Sequence, residues 1–346
     1  MSVKLSDFDY QLPEALVAQE PVTPRDASRL LALPAGGGIA HRTFAELDQL
    51  LAPGDLLVFN DTKVIPARLV GRKATGGKVE LLLCEPLEGG LGRRWRAMGQ
   101  ASKAIRAGAV VELDGLTATV EAVEGDGFYV VALDREGDAL LAALDRAGRV
   151  PLPPYIRREP SARDRESYQT LWARAPGSAA APTAGLHFTE PLLARLEARG
   201  VRRTAVTLHV GPGTFLPVRG DSLETHRMHA ERYEVPAATA EEIARCRARG
   251  GRVVAVGTTT VRTLESAAEG GAVVPGAGRT EIFIRPGHRF QTVDALVTNF
   301  HLPRSTLLVL VCAFGGQERV LTAYREAVRL GYRFFSYGDA MVIFGR

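Results

Sequence analysis

The fold turns on Ala109-Val110-Val111-Glu112-Leu113-Asp114-Gly115-Leu116-Thr117-Ala118-Thr119-Val120-Glu121-Ala122-Val123, two alternating runs joined by Asp-Gly. Alternation sends successive side chains to opposite faces of a strand, and Asp-Gly tolerates the positive φ angles of a tight hairpin. Similar runs lie nearby at Lys78 to Leu83, Trp95 to Gln100 and Phe128 to Leu133, with Gly76-Gly77, Gly89-Gly90 and Asp126-Gly127 between them. Short strands at this spacing predict a small antiparallel β-barrel over residues 67–149. Pro151-Leu152-Pro153-Pro154 makes a stiff exit from it.

Outside this region helical periodicity returns. On the N-terminal side, Thr43 and Glu46 form a capping box ahead of Leu47, Leu50 and Leu51, and Pro53-Gly54 stops that helix. The buried strand Leu56-Leu57-Val58-Phe59 then runs into Asn60-Asp61-Thr62-Lys63. On the C-terminal side, Thr189 caps a helix through Leu192, Leu193 and Leu196, and Val201 to Leu208 forms a strand. Thr239 with Glu242 starts another helix, Val253 to Val256 is a buried strand, and Gly257-Thr258-Thr259-Thr260 opens a helix. Further strands are expected at Ile282 to Ile284, Ala295 to Thr298, Leu307 to Val311 and Met341 to Phe344, with a helix through Val320, Leu321, Tyr324 and Val328. The expected fold is an α/β main domain, residues 1–66 and 150–346, with an inserted small antiparallel β-barrel domain, residues 67–149. A chain of 346 residues is long enough for two such units.

At 46% hydrophobic and 24% charged residues the composition is that of a globular protein, and a formal net charge of +4 does not by itself point to nucleic acid. Its distribution says more. Lys63, Arg68, Arg72, Lys73 and Lys78 lie between Asp61 and Glu80 with no acid among them. Arg93, Arg94, Arg96, Lys103 and Arg106 lie between Glu88 and Glu112 in the same way. Two such runs make either a phosphate-attracting face or a solvated surface. Cys84, Cys246 and Cys312 are widely separated and odd in number, which fits a reducing compartment. The first ten residues lack the apolar core of a signal peptide, and Leu307 to Phe314 is too short to span a bilayer. A cytoplasmic protein with no membrane contact is expected, as a monomer.

No Walker A sequence and no strand-linked G-x-G-x-x-G occurs, and the glycine-rich first loop of a doubly wound methyltransferase is missing. Five stretches concentrate chemistry instead. Gly177 to Thr189 is rich in small residues and carries Thr183, Gly185 and His187; it is either a tight connection or the floor of a site. His226 and His229, with Glu231, suit proton transfer, or metal binding if helical, although no H-E-x-x-H pattern is present. Thr258 and Thr259 stand at a helix start, where free amides attract a carboxylate or phosphate. His209, Gly211 and Gly213 form a strand-end loop, and Thr298 to Thr306 brings Asn299, His301 and Arg304 between apolar runs.

Taken together, Phe59 to Leu69, Tyr168 to Thr170, Ala181 to Thr189, Leu208 to Phe215, Met228 to Glu231, Val256 to Ser266, Thr298 to Leu307 and Tyr332 to Met341 resemble one family. It is the S-adenosylmethionine:tRNA ribosyltransferase-isomerases of queuosine synthesis. The resemblance runs the length of the chain; Leu171-Trp172 departs from the β-branched residue and tyrosine usual there. It implies transfer of the ribosyl group of S-adenosylmethionine to 7-aminomethyl-7-deazaguanine in the tRNA anticodon loop, with release of adenine and methionine. It implies no metal and no redox cofactor, S-adenosylmethionine being a co-substrate. Proton transfers are then expected from His229 with Glu231, and from His187, His209 or His301. Asp61, Arg262 and the Thr258–Thr260 turn are expected to meet the methionine charges, and Phe188, Phe215 or Tyr337 the sulfonium. Gly177 to Thr189 is then expected to be the site floor, with Thr183, Gly185 and His187 facing the bound S-adenosylmethionine or the target base. His209, Gly211, Gly213, Thr259 and Asn299 are expected to contact S-adenosylmethionine.

Overall fold

The computed structural model describes residues 3–211, 220, 222–224 and 226–345. Six of its strands close on themselves: Arg68–Lys73, Lys78–Pro86, Arg94–Ala101, Phe128–Leu133, Leu116–Gly125 and Val110–Leu113, in that ring order. Every pairing is antiparallel, and Arg72 opposite Glu112 closes the circle. Their alternate residues, among them Leu69, Leu81, Trp95, Val111, Val120 and Val131, fill the interior. The helix Gly137–Ala147 adds Leu140, Ala143 and Leu144 to that core. The sequence does not announce this helix, because no side chain caps its start. The first barrel strand, Arg68–Lys73, is likewise hidden inside a basic run.

The other large sheet has nine strands and mixed direction. Its centre is parallel: Arg202–Leu208, Leu56–Asn60, Val253–Val256 and Ala295–Asn299, side by side. Beyond Ala295–Asn299 lie antiparallel Ala340–Phe344, then Arg29–Leu33 and Ala40–Thr43. Beyond Arg202–Leu208 lie Glu231–Val235 and Gly276–Thr280, both antiparallel to their neighbours. The sheet takes strands from the chain on both sides of the barrel segment.

Period-two alternation sorts the sheet's residues into two cores. Leu31, Val58, Val206, Ala255, Leu296 and Ile343 pack toward the helices Thr258–Ser266, Thr306–Gly315 and Gln317–Arg329. Leu30, Leu57, Phe59, Val254, Val297 and Val342 pack toward Leu192, Leu193 and Leu196 of Glu190–Ala198. No single helix among the described residues is long and apolar enough to cross a membrane. The apolar helix Thr306–Gly315 meets Gln317–Arg329 at 116°, and both pack into the first core.

Several sequence expectations need correction. Leu307 to Val311 is helical, because Ser305 caps Thr306–Gly315 by accepting the Leu308 N–H at 3.2 Å. A short apolar run fits strand and helix equally well. Ile282 to Ile284 forms no strand; the sheet edge is Gly276–Thr280, whose glycines give little β propensity to read. The helix expected to start at Thr239 begins at Ala237, and Thr239 Oγ1 donates instead to the Ala205 carbonyl at 2.7 Å. The Thr43–Glu46 box is present, Thr43 N–H donating to Glu46 Oε2 at 2.7 Å, but it opens a 3₁₀ turn and a single α turn. All three cysteines are buried and free.

Candidate functional site

The four parallel strands end at one edge, at Leu208, Asn60, Val256 and Asn299. The carboxyl edge of an open α/β sheet is where such folds bind ligands. A cavity of about 300 Å³ opens there. Its walls are Thr183 and Ala184, the Gly257-Thr258-Thr259 turn, Thr298 to Leu302, Tyr155 after the proline-rich exit, and Phe335-Ser336.

Gly257 holds φ at +91°, a left-handed conformation open to glycine, and so turns the strand sharply into the helix Thr258–Ser266. Its N–H donates to the Val297 carbonyl at 2.8 Å, and no side chain caps the helix's first turn. The positive end of the helix dipole therefore faces the cavity. Asn60 joins the strand ends. Its Nδ2 donates to the Leu208 carbonyl at 3.0 Å and to Thr259 Oγ1 at 3.2 Å, and its Oδ1 accepts the Leu208 N–H at 3.1 Å.

Asn299 is a second node. Its Oδ1 accepts from Thr183 Oγ1 at 3.0 Å, while its Nδ2 donates to the Phe335 carbonyl at 3.1 Å and to His187 Nε2 at 3.0 Å. Since Nε2 accepts, His187 carries its proton on Nδ1 and donates to Ser28 Oγ at 2.7 Å. His187 is fully buried, its ring stacked on Phe44 at 4.9 Å. Burial, and next the charge of Arg25, hold this imidazole well below its ordinary range, so it is neutral. At Gly185 a Cβ would come within 2.9 Å of Thr170 Cγ2. Of the three residues expected to face the ligand from the stretch Gly177 to Thr189, Thr183 lines the cavity, and Gly185 and His187 do not. The 3₁₀ turn Thr183–His187 packs the latter two inward.

His301 lines the cavity, its Nε2 2.8 Å from Thr298 Oγ1. Burial lowers it to about 3, so it too is neutral. No described residue of the cavity wall is an aspartate, glutamate, lysine or arginine. Among the described residues the aromatic faces of the wall are Tyr155, Phe300 and Phe335. Phe188 instead packs among Phe44 and Phe59, Tyr337 donates its hydroxyl to Asp164 Oδ1 at 2.8 Å, and Phe215 lies outside the described residues. The run Phe334-Phe335-Ser336 was the one available signal for the missed aromatic wall.

The segment His209-Val210-Gly211 separates this cavity from a cleft of about 40 Å³ beside the barrel. Val210 faces the larger space, His209 and Gly211 the smaller, as alternation along an extended segment requires. Ser178 Oγ accepts the Val210 N–H at 2.9 Å, and His209 Nδ1 lies 2.8 Å from Thr62 Oγ1. Glu231 Oε1 accepts the Gly211 N–H at 3.1 Å, and its Oε2 pairs with Arg262 Nη1. Arg262 is 2% exposed, and its Nη2 has no partner among the described residues. His229 turns toward the Phe128 ring, 5.8 Å away, which in turn lies under the Arg96 guanidinium at 4.2 Å. Gly213 lies outside the described residues.

Asp61 lines neither space. Its Oδ1 accepts from Thr207 Oγ1 at 2.6 Å and its Oδ2 from Arg174 Nη2 at 3.0 Å. His226 and His229 are not helical, and His226 meets Phe283 edge-on at 5.2 Å. Among the described residues no group of three or more His, Cys, Asp or Glu side chains is placed to hold a metal. The acid-free basic runs do not stay acid-free once folded. Strand pairing brings Glu80 to Arg68 at 2.7 Å, Glu121 to Arg94 at 2.8 Å and Glu124 to Arg96 at 2.6 Å.

A ligand-sized cavity at the ends of parallel strands, in a chain that also carries a closed barrel, has the organisation of an enzyme. The family model described as "Queuosine biosynthesis protein" matches residues 5–343, and the chain belongs to that family. It is 77% identical over 345 residues to the S-adenosylmethionine:tRNA ribosyltransferase-isomerase of Anaeromyxobacter dehalogenans strain 2CP-C, covering 99% of this chain and 100% of the relative. The enzyme of the same name from Xanthomonas euvesicatoria is 55% identical over 350 residues, covering 99% and 97%. A crystal structure of S-adenosylmethionine tRNA ribosyltransferase from Thermotoga maritima is 41% identical with a TM-score of 0.57, covering 98% of this chain and 100% of that one.

Proposed function

We propose that this chain transfers and isomerises the ribosyl group of S-adenosylmethionine onto 7-aminomethyl-7-deazaguanine at the tRNA wobble position, giving epoxyqueuosine, adenine and methionine. The observation that carries this reading is 77% identity to an enzyme of that name over its whole length. The strand-end cavity supports it by its size, at the lower end of the range of about 300–1,000 Å³ usual for small-molecule sites.

The chemistry needs a proton removed beside the sulfonium and a proton delivered to departing adenine. His229 and Glu231 are the proposed pair for these transfers, with Arg262 orienting the carboxylate. His301, being neutral, serves as hydrogen-bond partner or base rather than as a cationic acid. His187 acts as a positioning residue through Asn299. The amides at Thr258 and Thr259 meet the substrate carboxylate, Thr183 and Asn299 its polar groups, and Asp61 and His209 brace the strand ends. Residues 67–149 act as an inserted unit that contacts the anticodon stem-loop, where an unpaired base is splayed out at limited unstacking cost. The protein works as a cytoplasmic monomer, away from membranes, with neither metal nor redox cofactor.

Purified protein incubated with S-adenosylmethionine and tRNA carrying the aminomethyl base tests this. Free adenine plus methionine is the expected product pair. S-adenosylhomocysteine would instead make it a methyltransferase, and tRNA binding without adenine release would make it a binding protein.

A further inference from the structure

Phe335 is one of three non-glycine residues at positive φ among the described residues, with Asp126 and Arg304, and its φ is +69°. For a bulky side chain this conformation is an outlier that persists only when the surroundings over-determine it. They do. Its N–H donates to the Phe300 carbonyl at 3.1 Å, and its carbonyl accepts from Asn299 Nδ2 at 3.1 Å and from the Gly338 N–H at 2.9 Å. The ring stacks on Tyr155 with centroids 4.4 Å apart and planes 21° from parallel. The Tyr155 hydroxyl is fixed to Ser336 Oγ at 2.6 Å. Both rings line the cavity.

We propose that Phe335 and Tyr155 form the purine-binding wall of the cavity, against which the adenine ring of S-adenosylmethionine lies flat. Three observations converge. The wall is aromatic and rigid, and every nucleobase presents a π-face to such a surface. The rest of the described lining is apolar or neutral: Pro182, Val210, Phe300 and Leu302 among others, with hydroxyls, the Asn299 amide and a neutral imidazole that suit ring nitrogens and an exocyclic amine. No described residue of the wall is a carboxylate, so its aromatic side suits the uncharged adenine half of the substrate, while the amides at Thr258 and Thr259 remain for the substrate carboxylate. Asn299 couples the wall to the Ser28–His187 chain, which keeps Phe335 in its unusual conformation.

This rests on the function proposed above, and the test separates the two. S-adenosylmethionine is titrated calorimetrically into wild type, Phe335→Leu and Tyr155→Leu, and adenine release is followed in parallel. Each leucine variant is expected to bind S-adenosylmethionine about tenfold more weakly or worse, while tRNA affinity stays within about twofold. The two variants change the stack from opposite sides, so failure of one to fold leaves the other to decide. Wild-type affinity in a folded leucine variant overturns the wall assignment and leaves the function standing. Wild-type protein that binds S-adenosylmethionine but releases no adenine overturns the function, and the titration still judges the wall. Wild-type protein that neither binds S-adenosylmethionine, alone or with tRNA present, nor releases adenine overturns both.

Discussion

The strand-end cavity and the cleft beside the barrel share the segment His209-Val210-Gly211 yet are built from opposite materials. Among the described residues the cavity wall is apolar and aromatic with uncharged hydroxyl, amide and imidazole groups; the cleft holds Glu231, Arg232, Glu85 and Arg96. A neutral, hydrogen-bonded wall can be emptied of water without stranding a charge. A buried ion pair is sustained only while both partners and their hydrogen bonds are present. One region is therefore suited to holding a flat uncharged group, the other to handling protons and charge. Asn299 and Arg262 are the residues on which each arrangement depends.

Arg262→Ala breaks the contrast most sharply. It leaves the buried Glu231 carboxylate without its counter-charge, for an expected loss of about 3–5 kcal/mol in urea unfolding. Replacing both partners with leucine-sized apolar residues should recover most of that stability while leaving the protein inactive. A single-variant loss below about 1 kcal/mol would mean that Glu231 does not depend on Arg262, and the cleft would resemble an ordinary solvated surface.

How much of this was legible beforehand follows from the range of each signal. The barrel was readable because alternation and Asp114-Gly115 are local, and five of its six strands could be placed from such runs. The sixth, Arg68–Lys73, looked like a basic surface run, because its pairing to Glu80 belongs to the folded sheet. Leu307 to Val311 was misread because its apolar residues fit either period; Ser305 as a cap was the only local clue. The strand-end residues Thr183, Thr258, Asn299 and His301 carry polar groups beside apolar runs and could be picked out. Phe335 and Tyr155, 180 positions apart by their numbers, meet only through tertiary packing. His187 and Gly185 looked like ligand contacts because sequence cannot show which way a 3₁₀ turn faces.

The neutral side of the contrast is sharpened by acid. The folded-state value of His301, about 3, lies below its ordinary 6.5. Above 6.5 both folded and unfolded chains hold the ring neutral, and it adds no pH slope. As pH falls toward 3 the unfolded chain takes up the proton first, so stability declines by up to about 1.4 kcal/mol per pH unit. His187 shifts in the same direction. His301→Gln removes one such proton, so the stability lost between about pH 7 and pH 5 should shrink by roughly 2 kcal/mol relative to wild type. An unchanged acid slope would mean that His301 is not held neutral by its surroundings.

The smallest effect is expected on the barrel exterior, where charge is neither excluded nor buried. Arg93, Arg94 and Arg96 pair with Glu136, Glu121 and Glu124, with Arg93 and Arg94 largely open to solvent. Such pairs contribute about 0.2–1 kcal/mol each, so reversing all three charges should hardly alter unfolding. Binding of tRNA is the sensitive readout. A full phosphate contact contributes about 0.7–0.9 to the slope of log affinity against log salt. Arginines already shared with glutamates supply less, so the triple reversal should lower that slope by under about 2 between roughly 50 and 200 mM salt. A larger drop would mean the arginines leave their glutamates for phosphate when tRNA binds. An unchanged slope would take this face, Arg96 at the cleft rim included, out of the tRNA path and leave the cleft to be approached from the side of Arg232.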